Sequence, residues 1–137
     1  MNSSAEGELE LRAESHIVTA RRAVRDAASS LGFGVTDITR IVTAASELAR
    51  NIFKYAGTGI LRWRIMENNG ASGIELKFED HGPGIPNIEQ AMSEGYSSSG
   101  GLGMGLPGAK RLMDELEIQS AVGQGTTVTV RKWRRIV

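Results

Sequence analysis

Residues 73–80, Gly-Ile-Glu-Leu-Lys-Phe-Glu-Asp, alternate apolar and charged side chains and stop at His81-Gly-Pro-Gly84. A period of two is a strand period. Ile74, Leu76, Phe78 and Asp80 therefore share one face, and Glu75, Lys77 and Glu79 the other. The strand delivers a carboxylate to the apolar side of a sheet just as it ends. Asp80 needs a partner there, because an unpaired buried charge is costly. Two partners stay open at this point. One is a donor on a ligand, such as the exocyclic amine of adenine; the other is the backbone of its own Gly-Pro-Gly turn.

The rest of the chain frames that strand. Residues 8–12 alternate and read as a short strand with Leu9 and Leu11 inward. A helix capped by Ser15 is expected to run to about Leu31. A second, capped by Thr36 or Asp37, is expected over residues 36–55, with Ile41, Ala45, Leu48 and Ile52 at helical spacing. Residues 60–66 alternate, and Asn68-Asn69-Gly70 is a hairpin turn signal joining them to the strand at 73–80. A short helix is expected near 88–92 and a longer one over 103–116. Two last strands, about 118–122 and 126–133, flank Gly123-Gln-Gly125. The expected fold is a two-layer α/β sandwich: a mixed, mostly antiparallel sheet with helices on one face. Residues 1–137 read as one domain, with 1–7 a flexible N-terminus and 134–137 a basic tail; Arg131, Lys132, Arg134 and Arg135, with Trp133 between them, read as one basic run, a partner-binding edge or a solvated tail rather than a nucleic-acid module.

Composition narrows the chemistry. Lys+Arg and Asp+Glu both count 16, which argues against nucleic-acid binding through a broad basic surface. The chain has no cysteine and two histidines, a poor inventory for zinc chemistry. His81, next to Asp80, reads as a loop residue rather than a base. No apolar run approaches a membrane span and no signal peptide is visible, so the expected compartment is the cytoplasm.

Gly101-Leu-Gly103-Met-Gly105-Leu106-Pro-Gly108 contains a literal G-x-G-x-x-G over residues 103–108. The Rossmann reading requires a strand before it and an acidic residue about 20 residues on, and neither is present. What remains is a glycine loop at a helix start, suited to phosphates, or a flexible loop before a capped helix. Glu47 and Asn51 are i and i+4 on the second helix, with Lys54 on the same stripe. A carboxylate, an amide oxygen and a cation in a row suit a general base, a Mg²⁺ ligand and a phosphate contact. They equally suit a solvated polar face. Thr126 shares its strand face with Val128 and Val130 and points inward.

The order of these elements resembles the GHKL nucleotide-binding superfamily and its Bergerat fold. Glu47-x-x-x-Asn51 looks like the N box, Asp80-x-Gly82-x-Gly84 the G1 box, Gly101-x-Gly103-x-Gly105 the G2 box, and Gly123-x-Gly125-Thr126 the last glycine box. Within it the stretches Ser46–Asn51, Phe78–Asp80 with Gly82–Ile85, and Gly100–Glu115 are similar to small serine/threonine switch kinases of the RsbT type. Those are related to anti-sigma kinases of the RsbW and SpoIIAB type. The resemblance implies ATP and Mg²⁺ as cofactors, with Glu47 as general base and Asn51 as the Mg²⁺ ligand. Asp80 would hold adenine N6, beside Gly82, Gly84, Ile85 and Thr126. Gly101, Leu102, Gly103, Met104, Gly105 and Leu106 would hold the phosphates, with Lys54 a further phosphate contact. It implies STAS-domain scaffold or antagonist proteins as substrates, and a PP2C-type phosphatase or cyclase activated downstream. An anti-sigma factor holding a sigma subunit and a non-enzymatic nucleotide-binding module stand as alternatives.

Overall fold

The computed structural model describes residues 6–85, 87–92 and 105–134. Among these residues five strands form one sheet: β1 (Gly7–Leu11), β2 (Gly59–Asn68), β3 (Ala71–Asp80), β4 (Glu115–Ala121) and β5 (Gly125–Trp133). Their order is β1-β2-β3-β5-β4, and all four pairings are antiparallel. The helices are α1 (Ser15–Ser30), α2 (Val35–Tyr55), the four-residue α3 (Ile88–Ala91) and α4 (Leu106–Leu112).

The expected parity holds. Ile74, Leu76 and Phe78 of β3 are buried with Leu61 of β2 and Val128 and Val130 of β5. Against them pack Ala20, Val24, Ala27 and Ala28 of α1 and the Ile41–Ala45–Leu48–Ile52 stripe of α2. Asn69 (φ 51°) and Gly70 (φ 83°) both take positive φ, the conformation a two-residue hairpin turn demands.

Three local expectations are corrected. Neither Ser15 nor Thr36 nor Asp37 caps its helix. Glu14 and Gly34 occupy the cap positions, without side-chain cap bonds. The helix expected over 103–116 is Leu106–Leu112. Gly105, at φ 66°, sets its start, and Met113 is already extended (φ −108°, ψ 168°). The Asp114 N–H bonds Arg131 O across to β5, so 115–121 joins the sheet. Arg131 and Lys132 do not belong to a solvated basic tail. Lys132 is buried, donates to Leu112 O at 3.1 Å and faces Asp114 at 3.5 Å. It thereby satisfies a carbonyl at the end of α4.

The sheet face away from the helices carries an ion ladder. Arg62 bridges Glu8 and Glu79, and Glu75 lies between Arg64 (2.7 Å) and Arg131 (2.9 Å). Glu75 is only 5% exposed. Burial pushes its carboxyl up, but the hydrogen bonds from Arg64 and Arg131 outweigh this and hold it below the usual carboxylate range. A depressed carboxylate contributes stability that is complete above the unfolded-chain value of about 4.3 and is lost as pH falls through the lower folded value. Glu75→Gln should therefore flatten the acid limb of the stability–pH profile below about pH 4.5. Urea midpoints measured from pH 3 to pH 7 check this. An acid limb of unchanged slope would remove Glu75 as its source.

Candidate functional site

At the end of β3 the chain turns through His81–Ile85, and glycine is what lets that turn dock. A Cβ at Gly82 would stand 2.6 Å from Ala56 Cβ, behind α2. Gly84 takes φ +81°, and a Cβ there would overlap Ala121 O of β4. The turn is tied to the β4–β5 hairpin by Gly123 N–H to Pro83 O, 2.8 Å, and by Ile85 N–H to Ser120 Oγ, 2.8 Å.

Between this turn, the C-terminal half of α2 and the inner face of β3 and β5 lies a slot open to solvent. Its walls are apolar: Leu48, Ile52 and Tyr55 of α2, Phe78, Val128, and Ile85 with Leu106. Its polar groups are few: Asn51 on the helix side, and Asp80 and Thr126 on the sheet side. An apolar slot with a few convergent polar groups is the usual form of a small-molecule site.

Asp80 resolves the two partners left open by its sequence. Its Oδ1 accepts from Gly82 N–H at 2.9 Å, the bond to its own turn, and from Thr126 N–H at 3.2 Å on β5. Among the described residues both bonds fall on Oδ1 and neither on Oδ2. The backbone partner anchors the carboxylate without consuming it.

The α2 residues lie around the slot in different ways. Asn51 lines it. Glu47, one turn earlier, stands beside the start of α4: a Cβ at Gly105 would meet Glu47 Oε1 at 3.1 Å. Glu47 Oε2 accepts from Arg50 Nη1 at 2.8 Å. Lys54 is exposed, with its ammonium 5.4 Å from the centre of the Tyr55 ring. It lines a neighbouring groove with Arg21, Arg50 and Phe53 rather than the slot itself. Gly105 and Leu106 flank the site. Gly101, Leu102, Gly103 and Met104, and residues 93–100 before them, lie outside the described residues.

Three participants were absent from the sequence reading. Ser120 ties the turn to β5, Tyr55 closes one wall, and Arg50 holds the Glu47 carboxylate. Parity was the missed signal for Ser120. It alternates with Leu116 and Ile118 on the inner face of β4 and pairs with Thr126.

No group of three or more His, Cys, Asp or Glu suited to a metal occurs among the described residues. Mg²⁺ does not need one, since it keeps waters and phosphate oxygens and takes one or two protein oxygens. The Asn51 amide in the slot, with Glu47 one turn away, fits that demand.

The chain matches the histidine kinase-like ATPase domain family over residues 9–132. It is 51% identical over 119 residues to the serine/threonine-protein kinase RsbT of Bacillus subtilis, covering 87% of this chain and 90% of that protein. It is 34% identical over 123 residues to the anti-sigma F factor of Clostridium beijerinckii, covering 86% of each. Among solved structures it superposes on the histidine kinase domain from the blue-light activated histidine kinase of Erythrobacter litoralis EL346, with a TM-score of 0.51 and 19% identity. That match covers 85% of this chain and 59% of the other, and it bears on the fold alone.

Proposed function

The chain belongs to the histidine kinase-like ATPase family, and from that membership we propose that it is an ATP-dependent protein serine/threonine kinase of the switch type. The observation that carries the reading is the slot itself. An anchored carboxylate, Asp80, stands at its sheet end, and a second, Glu47, stands beside the N-terminus of α4. The 51% identity to a protein named as a serine/threonine kinase supports the same activity.

In this reading residues 1–137 act as one ATP-binding kinase domain. Asp80 Oδ2 accepts from the adenine amine, and the walls formed by Ile52, Phe78, Ile85 and Val128 take the ring. Gly101–Leu106 holds the phosphates through backbone N–H groups, with Lys54 as an outer phosphate contact. Asn51 holds Mg²⁺, which when bound neutralises phosphate charge. Glu47 takes the proton from a substrate serine or threonine hydroxyl as its oxygen attacks the γ-phosphorus and the bond to the β–γ bridging oxygen breaks. ADP leaves with that oxygen. Positioning and charge stabilisation provide most of the rate in such a transfer.

The substrates proposed are STAS-domain scaffold or antagonist proteins, and release from them activates a PP2C-type phosphatase or a cyclase, all in the cytoplasm. The test is direct: the protein, Mg·ATP labelled at the γ-position, and a purified STAS-domain protein. Label on a serine or threonine of the partner is expected, and no transfer to any STAS protein sinks the assignment. The relatives named as anti-sigma F factors favour a second reading, in which the chain also sequesters a sigma subunit. Recovery of a sigma subunit with the native protein supports that reading, and recovery of a STAS scaffold alone supports the first.

A further inference from the structure

The hydrogen-bond polarity of the slot is set by a residue behind its lining. Ser120 Oγ has three neighbours: Ile85 N–H at 2.8 Å, Gly125 O at 3.0 Å and Thr126 Oγ1 at 2.8 Å. An amide N–H only donates and a carbonyl only accepts. A hydroxyl has one hydrogen and two lone pairs. One assignment satisfies all three contacts. Ser120 accepts from Ile85, gives its hydrogen to Gly125 O, and accepts from the Thr126 hydroxyl. Thr126 has then spent its single hydrogen inside the wall and shows the slot only lone pairs. Asp80 beside it also shows only an acceptor, because its Oδ1 is taken by Gly82 and Thr126 N–H.

We infer that Ser120 is a specificity-determining positioning residue: by fixing Thr126 as an acceptor it makes the sheet end of the slot accept only, selecting a purine with a 6-amino group against one with a 6-oxo group. The inference rests on the nucleotide-site reading above. A 6-amino group brings two donors to two acceptors. A 6-oxo group sets lone pairs against lone pairs, and leaving buried polar groups so mispaired is the strongest form of discrimination a site possesses. With Ser120 removed, the Thr126 hydroxyl is free to rotate and donate to a 6-oxo oxygen. The Ile85 N–H also loses its acceptor, but that cost falls equally on both nucleotides and cancels in their ratio.

The experiment is calorimetric binding of ATP and of inosine triphosphate, with Mg²⁺, to the full chain. Wild type is expected to favour ATP by at least about 100-fold. Ser120→Ala should shrink that ratio about tenfold, while Ser120→Thr, which keeps the hydroxyl, preserves it. If Ser120→Ala does not fold, Thr126→Val removes one of the two acceptors and should shrink the ratio similarly. Equal weakening of both nucleotides in Ser120→Ala, with the ratio kept, makes Ser120 a structural prop and overturns the inference while leaving the nucleotide site standing. Wild-type protein that binds no ATP overturns the nucleotide-site reading, and this inference with it.

Discussion

Glu47→Ala is expected to slow phosphotransfer by about 10²–10⁴-fold, the usual contribution of a positioned general base, while ATP binding and stability are nearly unchanged. The separation follows from where the side chain stands. Glu47 does not line the walls that would hold the base of the nucleotide; it faces Gly105, at the start of α4. Its ion pair with Arg50 is solvent-exposed, with side chains 43% and 57% accessible. Such pairs contribute little to stability, and alanine is the better helix former in the interior of α2. Single-turnover labelling of a STAS-domain substrate gives the rate, and calorimetry gives ATP affinity. A variant that transfers phosphate at the wild-type rate takes the base role from Glu47. One that loses affinity in proportion to rate makes the residue a ligand contact instead.

The elements were legible where one physical rule dominated. The period of two in β3 and the helical period in α2 predicted which residues enter the apolar core; they did not predict the burial of Glu75, which its arginine partners cover on the opposite face. Parity likewise turned Asp80 and Thr126 to the inner face, and both line the slot. Legibility failed where two rules competed. Residues 113–118, Met-Asp-Glu-Leu-Glu-Ile, suit a helix by propensity and a strand by alternation. The Asp114 N–H pairing with Arg131 O, and the Lys132 ammonium at the end of α4, decide for the strand. Those partners are distant in sequence, so no local window contains them. The same holds for the basic residues near the C-terminus. Arg131 and Lys132 read as a charged run, yet one is held by Glu75, Glu115 and Glu117 on the outer face and the other is buried on the inner. A charge count cannot separate two faces of a strand. Ser120 failed for another reason: parity could have placed it on the inner face, but its bonds to Ile85, Gly125 and Thr126 follow only from the fold.

Asp80→Asn is expected to weaken ATP binding by about 30–150-fold, the effect of turning one buried hydrogen bond into a mismatch. Asparagine is the informative change because it preserves the anchor. Its amide oxygen can replace Oδ1 and keep the bonds from Gly82 N–H and Thr126 N–H, which hold the turn to β5. Alanine would remove those bonds and confound affinity with folding. With the oxygen so engaged, the amide nitrogen must take the place of Oδ2 and present a donor to the slot. A donor then faces the two donors of the adenine amine, and the charge that strengthened the original contact is gone. A 6-oxo purine meets the same donor with a lone pair, so inosine triphosphate should lose far less affinity than ATP, or gain. The ratio of the two affinities therefore moves toward the 6-oxo nucleotide, which a merely loosened turn would not produce. Undiminished ATP binding by Asp80→Asn, with a normal unfolding midpoint, would place the nucleobase elsewhere than at the sheet end of this slot.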